Sequence, residues 1–509
     1  MINEQERFSS ILHFLGALIF TIGLTLLLPV FVVFLDGETK NGYTTLLAFL
    51  LPSFLCMLSG LIVKHKFKHY PPDTRGAMLI TIYGWVTACL LGGLPYLIAL
   101  KVPVVDAFFE SVSGLTTTGI TVFTGLDNMP KSILFWRALT QWLGGLGILT
   151  FFLAITFRGG SASSTIFGAE SHKISSTRPV PGMFNSIKIL WGIYIAFSIT
   201  TFIFFMAGGM SLFDSICHML TCISTGGFST HDASIGYFAA AGYKHYLFIE
   251  YSIIFFMFCG GINFFIHYRV LKGEFRILTR DYEIRWYWFI IISAVIFIML
   301  DHLLKVDSVN GLSAFLSSSS WLAKMHENFR HSLFQVVSIL TSTGYSTKDI
   351  NSSFFPALAK QIILMLMLIG GCVGSTSGGL KVLRVAILNK LVGRELYKIR
   401  KIKGAVSPLV VNKKVIPSEE LEKIAALFFA WMLFIVAGGG ITALFSDLGA
   451  WESFSGMVSA VGNMGPMYIS GPKMISLNPI IKLTYIVGML AGRLEILPII
   501  YILKIKKWR

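Results

Sequence analysis

The sequence predicts an all-α polytopic membrane protein, and two observations carry that prediction. The first is composition: 54% of the 509 residues are hydrophobic and only 13% are charged, at a mean hydropathy of +0.71. That leaves too little charge to cover the surface of a soluble protein of this size. The second is that apolar stretches of roughly 20 residues, the length needed to cross a bilayer, recur along the whole chain.

Ten such stretches are predicted to be transmembrane helices, and the first is too long for a signal-peptide core and is read as a retained helix. They are residues 11–34, 44–63, 76–100, 132–157, 189–206, 246–266, 286–300, 354–391, 424–445 and 479–503. Most lysines and arginines fall in the segments on the N-terminal side of the membrane, including residues 64–68 and 394–403. The positive-inside rule therefore predicts that both termini are cytoplasmic.

Four short Ser/Thr-rich stretches ending in glycine separate successive pairs of spans. We take Gly119, Gly226, Gly344 and Gly465 as equivalent, which gives a repeat of roughly 110 to 120 residues. Each stretch follows a partly apolar segment of about ten residues, too short to span a bilayer and typical of a re-entrant helix. These segments are residues 106–113, 214–219, 331–339 and 452–460.

The repeat predicts four pseudo-symmetric modules of helix, pore helix, loop and helix around one central pore, preceded by two extra helices. The predicted boundaries are 1–70 for the N-terminal helix pair and 71–182, 183–280, 281–414 and 415–509 for pore modules one to four. All four loops fall on the extracellular side of the topology that the charges predict.

The loop composition favours a filter for a monovalent cation. Backbone carbonyls can replace the hydration shell of an alkali cation, and glycine permits the required backbone angles and close approach. The loop cores contain no Asp or Glu, which disfavours a ring for divalent cations. The alternative, small residues that only let helices pack closely, fits one loop but not four at matching positions. The predicted filter residues are Thr117, Thr118, Gly119, Ser224, Thr225, Gly226, Ser342, Thr343, Gly344, Asn463, Met464 and Gly465.

These loops, with residues 110–119, 141–147, 223–232 and 492–495, carry a resemblance that covers essentially the whole chain. The sequence resembles the Trk/Ktr/HKT superfamily of potassium uptake proteins, specifically the TrkH-type membrane subunit. The resemblance implies potassium as the substrate, with the glycine at position 119 favouring it over sodium. It also implies a homodimer in the bacterial cytoplasmic (inner) membrane and a cytosolic nucleotide-binding regulatory subunit of the TrkA type.

Two features resemble the gate of that family. The glycine-rich segment, residues 370–379, has five glycines in ten residues and should interrupt its span, since each glycine disfavours helix by roughly 1 kcal/mol; a packing kink is the alternative. Its predicted gate residues are Gly370, Gly371, Gly374, Ser375, Thr376, Gly378 and Gly379. Arg493, in the last span, should face the pore, where the loop carbonyls of module three could be its partner, or pair with a carboxylate such as Glu495 or Glu250. Arg137 could instead reach the surface.

Several alternatives stay open at this point. An ion-coupled secondary transporter (sodium or proton symport) would show two inverted repeats rather than four parallel copies, and the potassium-binding subunit of a P-type pump shares the architecture by resemblance. The chain has no hydrolase or nucleotide-binding motif, so we expect neither enzymatic activity nor a cofactor besides potassium as substrate. Its basic clusters lie between spans, which argues against nucleic acid.

Three further features give expectations of their own. The basic loop 394–414 could dock an acidic cytosolic subunit or contact anionic membrane lipid. Residues 305–328 are expected to form a mobile extracellular loop. The six cysteines lie in or beside apolar segments and are expected to be small buried side chains rather than disulfides or metal ligands.

Overall fold

The computed structural model describes residues 3–147, 183–307, 319–400 and 407–494, and their regular secondary structure is almost entirely helical. The α-helices are Glu4–Thr25, Leu28–Leu35, Thr44–Lys66, Thr74–Leu100, Val104–Leu115, Lys131–Gly145, Met183–Ala207, Leu212–Ile223, Gly236–Ala240, Tyr246–Gly260, Phe264–Leu271, Ile277–Arg280, Tyr282–His302, Trp321–Leu340, Ala357–Leu366, Val382–Ile399, Ser418–Leu444, Ala450–Gly462, Gly471–Ser476 and Pro479–Arg493. Two short 3-10 turns, Glu38–Asn41 and Leu126–Asn128, and a π-helical turn, Leu303–Asp307, complete the helical elements. Strands Val410–Val411 and Lys414–Val415 pair antiparallel in a small hairpin.

Six helices in the described part of the chain are long and apolar enough to cross a membrane, which confirms a helical membrane protein with several spans. They are Glu4–Leu35, Thr44–Lys66, Arg75–Leu100, Asn185–Ala207, Tyr282–Asp307 and Ser418–Leu444. Large apolar side chains on these helices face outward, for example Phe54 at 65% and Phe429 at 64% exposure. Lipid, not water, is the solvent that such a surface fits. The six cysteines are buried free thiols.

A seventh predicted span, residues 246–266, is bent rather than straight. The sequence predicted one continuous helix over residues 246–266, but helices Tyr246–Gly260 and Phe264–Leu271 meet at an angle of 102°. Asn263 begins the second helix, and its side-chain oxygen accepts a hydrogen bond from the amide of Phe265 at 2.8 Å. An N-cap of this kind starts a new helix, so the prediction of continuity was wrong.

The remaining predicted spans are only partly described. Span 132–157 begins as helix Lys131–Gly145, and span 479–503 begins as helix Pro479–Arg493; both continue outside the described residues. Span 354–391 is two helices, Ala357–Leu366 and Val382–Ile399, with non-helical residues 367–381 between them. The total of ten transmembrane helices therefore stays a prediction.

A helix directly precedes each of the four Ser/Thr-Gly loops, and we call these the loop helices. They are Val104–Leu115, Leu212–Ile223, Trp321–Leu340 and Ala450–Gly462. The third is 20 residues long and begins inside the predicted mobile loop 305–328, so that prediction was wrong from Trp321 onward. The polar residues that suggested a loop are the exposed early turns of this helix, where Lys324 and Glu327 face outward.

Candidate functional site

The four loops share one backbone conformation. In each, the first loop residue has a left-handed conformation, with φ between 52° and 55°, and its amide donates to the carbonyl three residues earlier. The amide of the second loop residue donates to the carbonyl five residues earlier. The third is a glycine with φ between 77° and 94°. The triads are Thr117-Thr118-Gly119, Thr225-Gly226-Gly227, Ser342-Thr343-Gly344 and Asn463-Met464-Gly465.

This pattern corrects the predicted register of the second loop. The glycine equivalent to Gly119 is Gly227, with φ +77°, and not Gly226. Ser224 caps the loop helix, as Thr116 does in the first module. The sequence has two adjacent glycines at this point, and only the backbone hydrogen bonds decide which one turns the chain.

The third-position glycines bring the loops together. A Cβ atom on any of the first three would overlap a carbonyl oxygen of the next loop, and one on Gly465 would lie 3.0 Å from such an oxygen. The contacts run from Gly119 to the carbonyl of Gly226, from Gly227 to Thr343, from Gly344 to Met464 and from Gly465 to Thr118. Because the last contact returns to the first loop, the four loops form a closed ring.

Two physical reasons require glycine in this ring. A positive φ is strained for any residue with a side chain, and a neighbouring backbone occupies the space that a Cβ would fill. The four second-position carbonyls lie at equivalent places, each against the ring glycine of the neighbouring loop. Such a ring offers oxygen dipoles without a full charge, which suits a dehydrated monovalent cation.

The glycine-rich segment lies directly against the first-position residues of the loops. Thr225 donates from its hydroxyl to that of Thr376 at 3.2 Å. The amide of Gly378 donates to the hydroxyl oxygen of Ser342 at 2.7 Å. Any displacement of this segment would therefore break contacts with the loops themselves.

Hydrogen bonds hold the glycine-rich segment in a defined shape. Within it, the amide of Gly371 donates to the hydroxyl of Ser377 at 2.9 Å. On its outer side, one carboxylate oxygen of Glu283 accepts from the amides of Val373 at 2.7 Å and Leu383 at 3.1 Å. Glu283 thus bridges the segment and the helix that follows it. Sequence reasoning missed this residue, because a glutamate in the first turn of a helix is typical of simple capping.

Arg493 lies between the glycine-rich segment and the first module. Its guanidinium donates to the carbonyl of Thr376 at 2.9 Å and to that of Gly145 at 2.8 Å, and it also contacts the carbonyl of Gly144. A further contact reaches the hydroxyl of Thr117 at 3.4 Å. The predicted contact with module-three carbonyls is thus present in the structure.

Of the two carboxylates considered as alternative partners for Arg493, only Glu250 lies among the described residues. Glu250 pairs with Arg330. Glu495 lies outside the described residues.

The prediction that Arg137 could reach the surface was wrong. Arg137 is 1% exposed, and its Nε donates to Glu110 at 2.8 Å. Glu110, on the first loop helix, also accepts from the amide of Val122 at 3.0 Å. The Arg137 guanidinium lies 4.1 Å from the ring centre of Phe228. A buried charge needs a partner, so this ion pair fixes the chain that follows the first loop against the helix that precedes it.

A polar cluster lies beyond the second loop. Asp127, Asp214 and His231 all line a cavity of about 710 Å³. Nδ1 of His231 lies 2.5 Å from Asp127, and its Nε2 lies 3.5 Å from Asp214. Burial alone would lower the pKa of His231, but its contacts with the two carboxylates outweigh burial and raise that pKa above the usual value for histidine.

Comparisons with known proteins agree with this geometry. Residues 48–507 match the family model described as TrkH, cation transport protein. The chain is 32% identical to the Trk system potassium uptake protein TrkH of Vibrio parahaemolyticus, over 99% of this chain and 100% of that one. It is 31% identical to TrkH of Escherichia coli K12 over the same shares. The crystal structure of the potassium transporter TrkH from Vibrio parahaemolyticus matches with a TM-score of 0.83 at 30% identity, covering 99% of this chain and 100% of that one.

Proposed function

This chain belongs to the TrkH family of cation transport proteins, and we propose that it takes up potassium through a channel-like pore whose selectivity filter is the ring of loop carbonyls. It is a multi-pass membrane transport protein and not an enzyme. The observation that carries the proposal is the closed ring, in which each loop's glycine meets the second-position carbonyl of the next loop. Four parallel copies around one centre fit a pore, whereas a rocking transporter would use two inverted halves.

The gate is the glycine-rich segment together with Arg493. The segment lies against Thr225 and Ser342 of the ring, and Arg493 adds a positive charge beside its Thr376 carbonyl. The positive charge of Arg493 at this place repels potassium and opposes its passage until Arg493 moves. The open state requires the segment to leave its contacts with Glu283 and with the loops.

Regulation would come from the cytosol through a nucleotide-binding subunit of the TrkA type. The hairpin that contains Asn412 supports this route, because Asn412 accepts from the amide of Tyr282 at 3.0 Å and donates to Asp281 at 2.9 Å. Both of these residues directly precede Glu283, which holds the glycine-rich segment. A subunit that moves the hairpin could thereby shift the gate.

The finer architecture belongs to the same proposal. We infer ten transmembrane helices in four pore modules behind an N-terminal helix pair, with the domain boundaries predicted from the sequence. The chain would sit as a homodimer in the bacterial cytoplasmic membrane with both termini inside. Most of its basic residues then face the cytoplasm and anionic lipid.

The test is rubidium uptake in cells that lack their own potassium systems. The intact chain should restore growth at low potassium, and Gly119→Ser should relax discrimination against sodium, because the new side chain must displace the Gly226 carbonyl. Gly192→Ala is the matched control, since a Cβ there meets no atom within 4 Å. An unchanged rubidium-to-sodium ratio in Gly119→Ser would mean that this ring is not the filter.

The same assay separates the alternative mechanisms. Uptake that stops without sodium or a proton gradient would favour a coupled symporter. Uptake that requires a P-type pump subunit would favour a pump component.

A further inference from the structure

The second loop lacks a side chain that the other three possess. At the second position the loops carry Thr118, Thr343 and Met464, but the second loop carries Gly226. A Cβ atom on Gly226 would overlap the side-chain amide of Gln141, which is fully buried on helix Lys131–Gly145. Gln141 therefore occupies the place that a second-position side chain would take. The backbone does not demand glycine at 226, because its φ is not positive.

Gln141 also makes two hydrogen bonds to this loop. Its Nε2 donates to the carbonyl of Gly226 at 2.6 Å, and its Oε1 accepts from the amide of Phe228 at 3.0 Å. A carbonyl can only accept and an amide N–H can only donate, so these partners fix the orientation of the side chain. The two bonds hold the chain on either side of Gly227, the ring glycine of this loop.

This arrangement makes one ring carbonyl different from the others. Among the residues that the structure describes, no side chain donates a hydrogen bond to the carbonyl of Thr118, Thr343 or Met464, whereas Gln141 donates to that of Gly226. An oxygen that already accepts a hydrogen bond attracts a cation less strongly. A weaker set of ligands offsets less of the free-energy cost of removing water from the ion. Sodium is smaller and costs more to dehydrate than potassium, so the weaker set favours potassium over sodium.

We propose that Gln141 is a positioning and specificity-determining residue of the filter, which fixes the second-loop carbonyl in the ring and weakens its attraction for a dehydrated ion. The proposal rests on the ring being the filter. It predicts that the four ring carbonyls are functionally unequal although their backbones are alike. It also predicts that Gln141 and Gly226 depend on each other, because one fills the space that the other leaves.

The experiment measures rubidium uptake and its inhibition by sodium. Gln141→Met keeps most of the side-chain volume but removes both hydrogen bonds, and it should reduce discrimination roughly 3- to 10-fold, the size of one net hydrogen bond. Gln361→Met is the control, because it makes the same substitution at an exposed glutamine of helix Ala357–Leu366. It should leave the ratio unchanged.

A pair of variants tests the mutual dependence. Gly226→Thr alone should reduce uptake, because its side chain overlaps Gln141. Combined with Gln141→Ala it should be accommodated, as threonine is in the first and third loops, and uptake should recover. Failure of the double variant to exceed Gly226→Thr would overturn the proposal, and this comparison remains decisive even where Gln141→Met does not fold.

The outcomes also separate this inference from the proposed function. If the intact chain carries no rubidium, the proposed function fails. If the intact chain discriminates and a folded Gln141→Met does so equally well, the filter stands and the role of Gln141 is refuted.

Discussion

The loop ring and the layer of side chains behind it follow different rules. The four loops repeat one set of backbone hydrogen bonds. Seven residues before each left-handed residue, the loop helices instead carry four unlike residues: Glu110, His218, Gln335 and Gly456. The contacts within the ring are made by the backbone, which is the same for every residue. The support behind the ring is made by side chains, which can differ from one module to the next.

Three of the four modules support the loop helix at this position in different ways. Glu110 forms an ion pair with Arg137. His218 bonds to the Asp214 carbonyl at 2.9 Å and to the Ser229 hydroxyl at 3.1 Å. A Cβ on Gly456 would overlap the hydroxyl of Tyr485, so that ring fills the space. The difference teaches that the ring requires the same backbone geometry in all four modules, while the side chains behind it can differ from one module to the next.

Breaking the ring should have the largest effect. Gly227→Ala places a Cβ over the Thr343 carbonyl at a positive φ, and rubidium uptake should fall to background. Gly465→Ala should be milder, because its Cβ would lie 3.0 Å from the Thr118 carbonyl. Gly440→Ala, with no atom within 4 Å of the added Cβ, is the control. Equal loss at positions 227 and 465 would contradict the packing argument.

Breaking the support behind the first loop should mainly affect stability. Arg137→Met leaves the buried Glu110 without its partner, which should lower the free energy of unfolding by about 3–5 kcal/mol. Thermal unfolding of the purified protein in detergent measures this. The double variant Glu110→Gln with Arg137→Met should recover much of the loss, since no buried charge remains. A double variant as unstable as the single one would argue against a buried ion pair.

The glycine-rich segment gives an intermediate case, because it belongs to module three and Glu283 is one of several side chains that hold it. Glu283→Gln retains an acceptor for Val373 and Leu383 but loses the charge. A charge-assisted hydrogen bond contributes about 1.5–3 kcal/mol, so the segment should be released more easily and basal flux into proteoliposomes should rise. Glu419→Gln is the control, as an exposed glutamate in the first turn of helix Ser418–Leu444. Unchanged basal flux in Glu283→Gln would remove Glu283 from the gate.

The same contrast explains which features the sequence could predict. The long apolar spans can be predicted because hydropathy is a property of each segment. The four loops can be predicted because their motif recurs along the sequence. The Glu110–Arg137 pair joins side chains from separate helices, so the sequence of neither helix predicts it. The register at Gly226 and Gly227 depends on hydrogen bonds back into the loop helix. The bend at residues 261–263 depends on Asn263 acting as a cap within an apolar run.

The smallest expected effect is at the surface of module four. Lys473 lies 2.9 Å from Glu452, but it is 55% exposed, and exposed pairs contribute about 0–1 kcal/mol. Lys473→Ala should therefore shift the unfolding temperature far less than Arg137→Met.

Hydrogen bonds from Lys473 and from the amide of Gly449 lower the pKa of Glu452. A carboxyl with a lowered pKa stabilises the fold above its unfolded pKa of about 4.3, and this contribution is lost as the pH falls through the folded pKa. The small difference between Lys473→Ala and the intact chain should thus vanish in acid strong enough to protonate Glu452 in the folded chain, and a difference that persists there would mean that the contact acts through packing rather than charge.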